Sequence, residues 1–136
     1  IKHFISAFGE HVIAEEAERA MAEALKACPE ASLVEFTLAP QVNPPTGELP
    51  YHEWLVEFAQ APQDPTRFQA VLEASMNAQN IYYKDLITGK VLQPLKLTIL
   101  KPNAFIDYMK SQGKLGGQNK VPRLANDRVI ADSLGR

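Results

Sequence analysis

The sequence has only one cysteine, and this scarcity excludes several classes of small domain. Cys28 cannot form a disulfide within the chain, and no set of cysteines is present for a zinc or iron–sulfur site. The three histidines, His3, His11 and His52, do not have the spacing of metal ligands. We therefore expect a domain from a reducing compartment that is held together by its apolar core.

The chain also lacks a long apolar run and a leader. No stretch of about eighteen apolar residues could cross a bilayer, and the N-terminus has no signal-peptide pattern. The sequence therefore predicts a cytoplasmic protein with no membrane partner. Because the first residue is Ile1 and not methionine, we expect the chain to be cut or processed from a longer protein.

The sequence also lacks an excess of basic over acidic residues, since 14 basic and 16 acidic residues give a net charge of -2. This balance argues against a general nucleic-acid binder. The charge is uneven, because seven basic and two acidic residues between Lys96 and Arg128 give +5 there and leave -7 elsewhere. Such a pattern favours a local anionic ligand. No aromatic residue lies between Lys110 and Arg128, where a binder of single-stranded nucleic acid would need them.

A chain of 136 residues, 46% of them apolar, has the size of one globular domain. Apolar residues at helical spacing predict a helix over residues 13–28 that ends at Pro29. Alternating apolar residues predict strands over residues 33–39 and 51–59, the first with Val34, Phe36 and Leu38 on one face. The proline-rich stretch between these strands predicts a long hairpin loop.

The second half of the chain has clear signals for helix starts and stops. Asp64 and Pro65 predict a helix start, Asn103 is predicted to cap a further helix that ends at Gly113, and Asn126 is predicted to cap a last short one. A helical turn before Gly89 and a strand over residues 95–99 are predicted between them. The order of elements predicts an α+β fold, a small and mostly antiparallel sheet packed with helices as a two-layer sandwich.

The stretch from Gly113 to Arg123 contains three glycines, one proline and three basic residues, and it has no apolar periodicity. This composition predicts a loop whose backbone N–H groups can approach a ligand closely. Lys114, Lys120 and Arg123 could then meet an anion, because lysine acts as a point charge on phosphate or carboxylate. An ordinary solvated surface loop explains the same composition equally well.

Other catalytic motifs are missing from the sequence. The loop does not have the glycine and lysine spacing of a Walker phosphate cradle, since Val121 follows Lys120 where serine or threonine is required. No nucleophile elbow is present. The glutamates are concentrated on a helix with a solvated face, so paired catalytic carboxylates are unsupported as well. A lysine on a glycine-rich loop is the remaining candidate.

Three stretches carry a resemblance to a known family. They are Phe-Gly-Glu-His-Val-Ile at 8–13, His-Glu-Trp-Leu-Val-Glu-Phe at 52–58 and, above all, Gly-Lys-Leu-Gly-Gly-Gln-Asn-Lys-Val-Pro-Arg-Leu at 113–124, which continues to Asp127 and Arg128. They resemble the C-terminal domain of the auxin-responsive Gretchen Hagen family of acyl acid amido synthetases, part of the acyl-adenylating superfamily. The resemblance spans nearly the whole chain and implies that residues 1–136 are one C-terminal domain.

The resemblance implies a two-step ligase. A large N-terminal domain, absent from this chain, would bind ATP, Mg²⁺ and a small carboxylic acid to form an acyl-adenylate, which an amino acid then attacks. The C-terminal domain would swing between two poses to complete the site for each half-reaction. Lys120 matches the lysine of the motif Gly-Gln-x-Lys-x-Pro-Arg, whose implied role is to hold the carboxylate and the α-phosphate together. The residues implied to bind the nucleotide are Gly116, Gly117, Gln118 and Arg123.

Two departures from the family pattern limit what the resemblance implies about the substrate. Asn119 and Val121 flank Lys120 where plant members usually have an aromatic residue and threonine, so the chain is closer to bacterial relatives. The sequence Asn-Ile-Tyr-Tyr at 80–83 stands where relatives have a segment like Asn-Ser-Asp-Tyr, and the roles of His11 and Tyr82 are open. The acyl pocket is expected in the absent domain. The alternative function is a non-catalytic module whose basic loop binds an anion or a protein.

Overall fold

The computed structural model describes residues 4–113 and 120–136. In chain order its elements are β1 (Phe4–Ile5), β2 (Val12–Ile13), α1 (Ala14–Ala27), β3 (Ser32–Gln41), β4 (Tyr51–Gln60), α2 (Pro65–Gln79), α3 (Ile81–Thr88), β5 (Lys96–Ile99), α4 (Ala104–Ser111) and a short 3-10 helix, Ala131–Ser133. In the described part of the chain, no helix has the length and apolar character to span a bilayer.

The main sheet has the strand order β3-β4-β5, and β1 and β2 form a separate antiparallel pair. β3 and β4 are antiparallel because a loop over residues 42–50 turns the chain back. β5 is parallel to β4, since α2 and α3 first carry the chain back to the starting end of β4. The predicted α+β class is confirmed, and the sheet is mixed, with the antiparallel pair as its longer part.

Helices α1 and α2 cover one face of the sheet. α1 contributes Ala17, Ala20, Met21 and Ala24 at helical spacing, and its small side chains let the two helices approach closely. On the sheet side, the rings of Phe36 and Trp54 are stacked with their centroids 5.6 Å apart. Other large residues of this cluster are Leu38, Phe68, Leu72 and Met76, and all four are buried.

The opposite face of the sheet is also covered, by α4 and the C-terminal segment. A second apolar cluster there consists of Ala39, Leu55, Leu100, Ala104, Phe105, Val121, Ala131 and Leu134. β4 is therefore buried on both sides, and apolar and acidic residues share its second side. Glu53 and Glu57 point into this region and are each 5% exposed, so both carboxylates require polar partners.

Several predicted helix boundaries are confirmed. Asp64 Oδ1 accepts a hydrogen bond from Arg67 N at 3.1 Å, and Pro65 is the first residue of α2. Gly113 has φ +66 just after α4, the left-handed backbone that favours glycine at a helix end. The turn predicted before Gly89 belongs to a longer helix, α3, which begins after Asn80. Asn80 Oδ1 caps it by accepting from Tyr83 N at 3.0 Å.

Three local predictions were wrong. Val34 does not share the buried face of β3 and is 52% exposed, because the register with β4 shifts between Leu33 and Glu35. The side chain of Asn103 makes no capping hydrogen bond, although α4 does begin after it. No helix begins at Asn126. Its Oδ1 accepts from Ser6 N at 3.2 Å, and the only regular structure described after it is the 3-10 helix.

Candidate functional site

Residues 121–125, here called the strap, lie along the outer edge of β3. Leu38 N donates to Arg123 O at 2.9 Å, and Ala125 N donates to Leu38 O at 3.0 Å, which makes a short parallel bridge. Thr37 Oγ1 donates to the carbonyl of Pro122 at 2.7 Å. The strap therefore covers an edge of the sheet that would otherwise have unpaired backbone groups.

Lys120 immediately precedes the strap. Its side chain is exposed, and in residues 4–113 and 120–136 no acidic group forms an ion pair with it. The next residue, Val121, is only 9% exposed and belongs to the second apolar cluster. Among the described residues, the predicted catalytic lysine is thus a cation without an acidic partner, attached directly to a partly buried, hydrogen-bonded segment.

Of the remaining predicted site residues, the structure describes only Arg123. Gly116, Gly117 and Gln118 lie outside the described residues, as does most of the predicted glycine-rich loop, so their contact with a nucleotide stays a prediction. Arg123 is described, and it belongs to the strap, three residues after Lys120. The structure therefore places this short segment at the edge of β3.

The Arg123 side chain packs between β3 and α1. Its Nη1 atom lies 2.6 Å from Glu35 Oε1 and also donates to the carbonyl of Phe36. The guanidinium carbon lies 3.8 Å from the centre of the Phe36 ring, which adds a cation–π contact. Arg123 Nε approaches the exposed Glu18 at 3.4 Å. Sequence patterns did not reveal these partners, because they are distant along the chain.

A second group of basic residues fixes the C-terminal segment to β4. Glu53 accepts from Arg128 Nη2 at 2.6 Å, from Arg136 Nη1 at 2.6 Å and from Thr98 Oγ1 at 2.5 Å. Burial raises the pKa of the Glu53 carboxyl, but these donors outweigh that effect and the pKa is lowered. The sequence signal for this site was a glutamate in a mostly apolar strand, which also contains His52 and Glu57. Glu53 holds the chain that follows the strap.

A third polar cluster lies on the other side of the sheet. His52 is buried against Glu10. Beside this pair, a cleft of about 350 Å³ is lined by His11, Ile13, Glu16, Gln79, Asn80, Ile81 and Tyr82. Its polar groups contact one another, since Glu16 Oε1 accepts from Ile13 N and from Asn80 Nδ2. Of the predicted site residues that the structure describes, neither Lys120 nor Arg123 lines this cleft.

The described residues do not form a metal centre by themselves. Among them, no group of three or more His, Cys, Asp or Glu side chains could hold a metal ion. The acidic residues of the three polar clusters accept from arginine, histidine, threonine and asparagine side chains and from backbone donors. What the geometry offers chemically is an exposed ammonium on a fixed support, suited to an anionic ligand.

Comparison with known proteins identifies the family. Residues 15–129 match the family model described as the GH3 family C-terminal domain. No curated protein has a significant sequence match to the chain. Two solved structures share the fold, a GH3.15 acyl acid amido synthetase with a TM-score of 0.74 and 18% identity, and an AtGH3.15 acyl acid amido synthetase in complex with 2,4-DB with a TM-score of 0.70 and 19% identity.

The alignments to these structures cover 99% of this chain and 28% and 27% of theirs. The chain therefore spans little more than a quarter of the length of the proteins it resembles in fold. The family match extends from the second residue of α1 to the turn after Arg128, and so includes the sheet, the strap and Lys120. On this match, the chain belongs to the GH3 family, as its C-terminal domain.

Proposed function

We propose that this domain is the C-terminal part of an acyl acid amido synthetase, which uses ATP to join a small carboxylic acid to an amino acid. The family match and the likeness in fold to two acyl acid amido synthetases support this reaction class. One of those two proteins was solved in complex with 2,4-DB, which supports small acids as the substrate class. We further propose that the domain acts only together with its own N-terminal domain.

The observation that carries the proposal is the placement of Lys120. An exposed ammonium with no acidic partner in the described part of the chain can approach an anion without first breaking an ion pair. When an acid becomes an acyl-adenylate, negative charge grows on the oxygens around the α-phosphorus. A cation held there stabilises the transition state more than the ground state, and so raises the rate.

The other ligands of the reaction are assigned mainly to the N-terminal domain. Since the described residues form no metal site, we propose that Mg²⁺ is bound there, together with most of the ATP. Within this chain, the proposed contacts with the nucleotide come from Gly116, Gly117 and Gln118, whose backbone N–H groups could meet phosphate oxygens. Arg123 was predicted to join them.

The test uses the full-length protein, after a panel of acids and amino acids has identified a substrate pair. Acid-dependent pyrophosphate exchange measures adenylation, and amide formation from a synthetic acyl-adenylate measures the second step. Lys120→Ala should lower pyrophosphate exchange by about a hundredfold to a thousandfold, the loss typical of a missing oxyanion donor. Amide formation from the preformed adenylate should change much less, because the new bond in that step forms at the acyl carbon, and charge moves onto the phosphate only as AMP leaves.

Lys110→Ala is the matched control, because Lys110 is an exposed lysine in the last turn of α4. It should leave both half-reactions near the wild-type rate. If Lys120→Ala matches this control in both assays, Lys120 has no part in the mechanism. An equal loss in both assays would assign Lys120 to folding or domain docking, and would contradict a specific role in adenylation.

A further inference from the structure

Arg123 is three residues after Lys120, and its side chain turns away from solvent onto β3. We infer that Arg123 is a positioning residue, whose guanidinium holds the strap on the sheet and thereby holds Lys120 at the reacting site. The inference rests on the proposed function, since it concerns the same half-reaction. It gives Arg123 a role distinct from the direct nucleotide contact that the sequence motif implies.

The contacts of the guanidinium restrict it to one place. Nη1 lies 2.6 Å from Glu35 Oε1 and also donates to the carbonyl of Phe36. The planar group lies over the Phe36 ring, with 3.8 Å between the guanidinium carbon and the ring centre. An ion pair, a backbone hydrogen bond and a stacking contact together require a planar cation with several donors. Lysine cannot reproduce this combination, because its ammonium is compact and does not stack.

The backbone around Arg123 is held as firmly as its side chain. Its carbonyl accepts from Leu38 N at 2.9 Å, and the preceding carbonyl, of Pro122, accepts from Thr37 Oγ1 at 2.7 Å. Thr37 is 1% exposed, so this hydrogen bond is sheltered from water. Val121 is buried next to it in the second apolar cluster. Lys120 is therefore joined to the anchored chain with no intervening flexible residue.

The charges around Arg123 agree with an anchoring role. Glu35 and Glu18 lie 2.6 Å and 3.4 Å from its nitrogens, so two carboxylates oppose its single positive charge. The side chain is 24% exposed, compared with an exposed Lys120 that has no acidic partner in the described part of the chain. Among the described residues of this edge, the positive charge available to a phosphate thus comes from Lys120, and Arg123 sets where Lys120 lies.

The kinetic test measures kcat and the KM for ATP of pyrophosphate exchange in the full-length protein. Arg123→Gln should lower kcat by about tenfold to a hundredfold, the loss expected when a catalytic group is slightly misplaced, with the KM for ATP nearly unchanged. Glu35→Gln and Thr37→Val should lower kcat in the same way but less, because each removes one contact of the strap. Arg19→Gln, at an exposed arginine of α1, is the control and should have no effect.

A double variant separates positioning from direct contact. If Arg123 acts through Lys120, then Arg123→Gln should cause little further loss in a Lys120→Ala background. A large increase in the KM for ATP in Arg123→Gln, with Glu35→Gln and Thr37→Val silent, would overturn the inference in favour of direct nucleotide binding. Thr37→Val keeps the test decisive if Arg123→Gln folds poorly, since it loosens the strap without changing a charge.

Amide hydrogen exchange tests the anchor independently of activity. The N–H groups of Leu38 and Ala125 donate across the contact between strap and sheet, so their exchange should be faster in Arg123→Gln than in wild type or Arg19→Gln. Unchanged exchange at both amides would overturn the inference. If Lys120→Ala is silent in both half-reactions, the proposed function fails, and the exchange rates still decide whether Arg123 anchors the strap.

Discussion

His52 Nε2 lies 2.6 Å from Glu10 Oε2, and the exposed fractions of the two side chains are 2% and 0%. This pair joins the turn between β1 and β2 to the central strand of the sheet. The other carboxylate oxygen of Glu10 accepts from Phe8 N at 2.8 Å, and its carbonyl accepts from Asn80 Nδ2 at 3.0 Å. The N-terminal turn is thus held by a buried polar network that includes β4 and the start of α3.

Removing one member of this pair should destabilise the domain strongly. We expect Glu10→Gln to lower the free energy of unfolding by about 3 kcal/mol, because it leaves the buried His52 ring without its carboxylate partner. The measurement is urea unfolding at pH 7. Glu23→Gln, at an exposed glutamate of α1, is the control and should change stability by less than about 0.5 kcal/mol. Equal stability of the two variants would contradict the importance of the pair.

The buried carboxylates of Glu10 and Glu53 should make the domain sensitive to acid. Burial raises the pKa of Glu10, but the hydrogen bond from His52 and nearby backbone donors outweigh it, so its pKa is lowered from the ordinary value of a glutamate. Glu53 also has a lowered pKa. As the pH falls, Glu10 and Glu53 bind protons in the unfolded chain before they do so in the folded protein. The stabilisation by the two folded carboxylates is therefore complete above pH 4.5 and is lost as the pH falls through their folded pKa values.

Thermal unfolding across the range from neutral pH to about pH 3 measures this effect. The melting temperature of the wild type should be steady above the ordinary carboxyl pKa and fall below it. Glu10→Gln should start lower and show a shallower fall, since it has lost one of the buried carboxylates with a lowered pKa. Glu23→Gln should follow the wild-type curve. A Glu10→Gln curve parallel to that of the wild type would show that Glu10 does not contribute to acid lability.

Glu57 is predicted to stabilise the start of α4. Its two carboxylate oxygens accept from Asn103 N at 2.9 Å and from Phe105 N at 3.1 Å, so a residue of β4 caps a helix nearly fifty residues later, with separations of 46 and 48. Glu57→Gln should cost about 1–2 kcal/mol in the free energy of unfolding, comparable to the loss of a good helix cap. Glu23→Gln again serves as the exposed control.

A local readout separates this cap from a general loss of stability. The N–H of Phe105 should exchange faster with solvent in Glu57→Gln, and helix α1, which packs on the other face of the sheet, should keep its protection. If protection is lost uniformly across both helices, Glu57 acts on the whole domain and not on the α4 terminus.

Asn103 has φ 69, a left-handed conformation that costs little for glycine and more for residues with a Cβ atom. Since its side chain makes no capping hydrogen bond, Asn103 affects stability mainly through its backbone conformation. Asn103→Gly should therefore leave the midpoint of urea unfolding unchanged or slightly higher. Asn103→Ala should lower stability by about 1 kcal/mol. An alanine variant as stable as the glycine variant would contradict this explanation.

Local chemistry determined many element boundaries directly from the sequence. Pro29 follows α1, Asp64 and Pro65 start α2, and Gly113 ends α4, because steric limits and capping hydrogen bonds act within a few residues. The long motif at residues 113–128 was also sufficient to indicate the family, which the family match confirms. Lys120 was recognised in the same way, as a lysine in a loop-forming segment.

Tertiary structure decided which residues meet across the chain. The parallel pairing of β5, the register shift that exposes Val34 and the helix that does not form at Asn126 all depend on packing between distant segments. Arg123 and Glu35 are 88 residues apart, and Arg128 and Glu53 are 75 apart. No local periodicity encodes such pairs, because charged side chains find partners only after the sheet has brought their backbones together. The sequence therefore pointed to Lys120 as a candidate, and only the fold showed that the chain following it is anchored to β3.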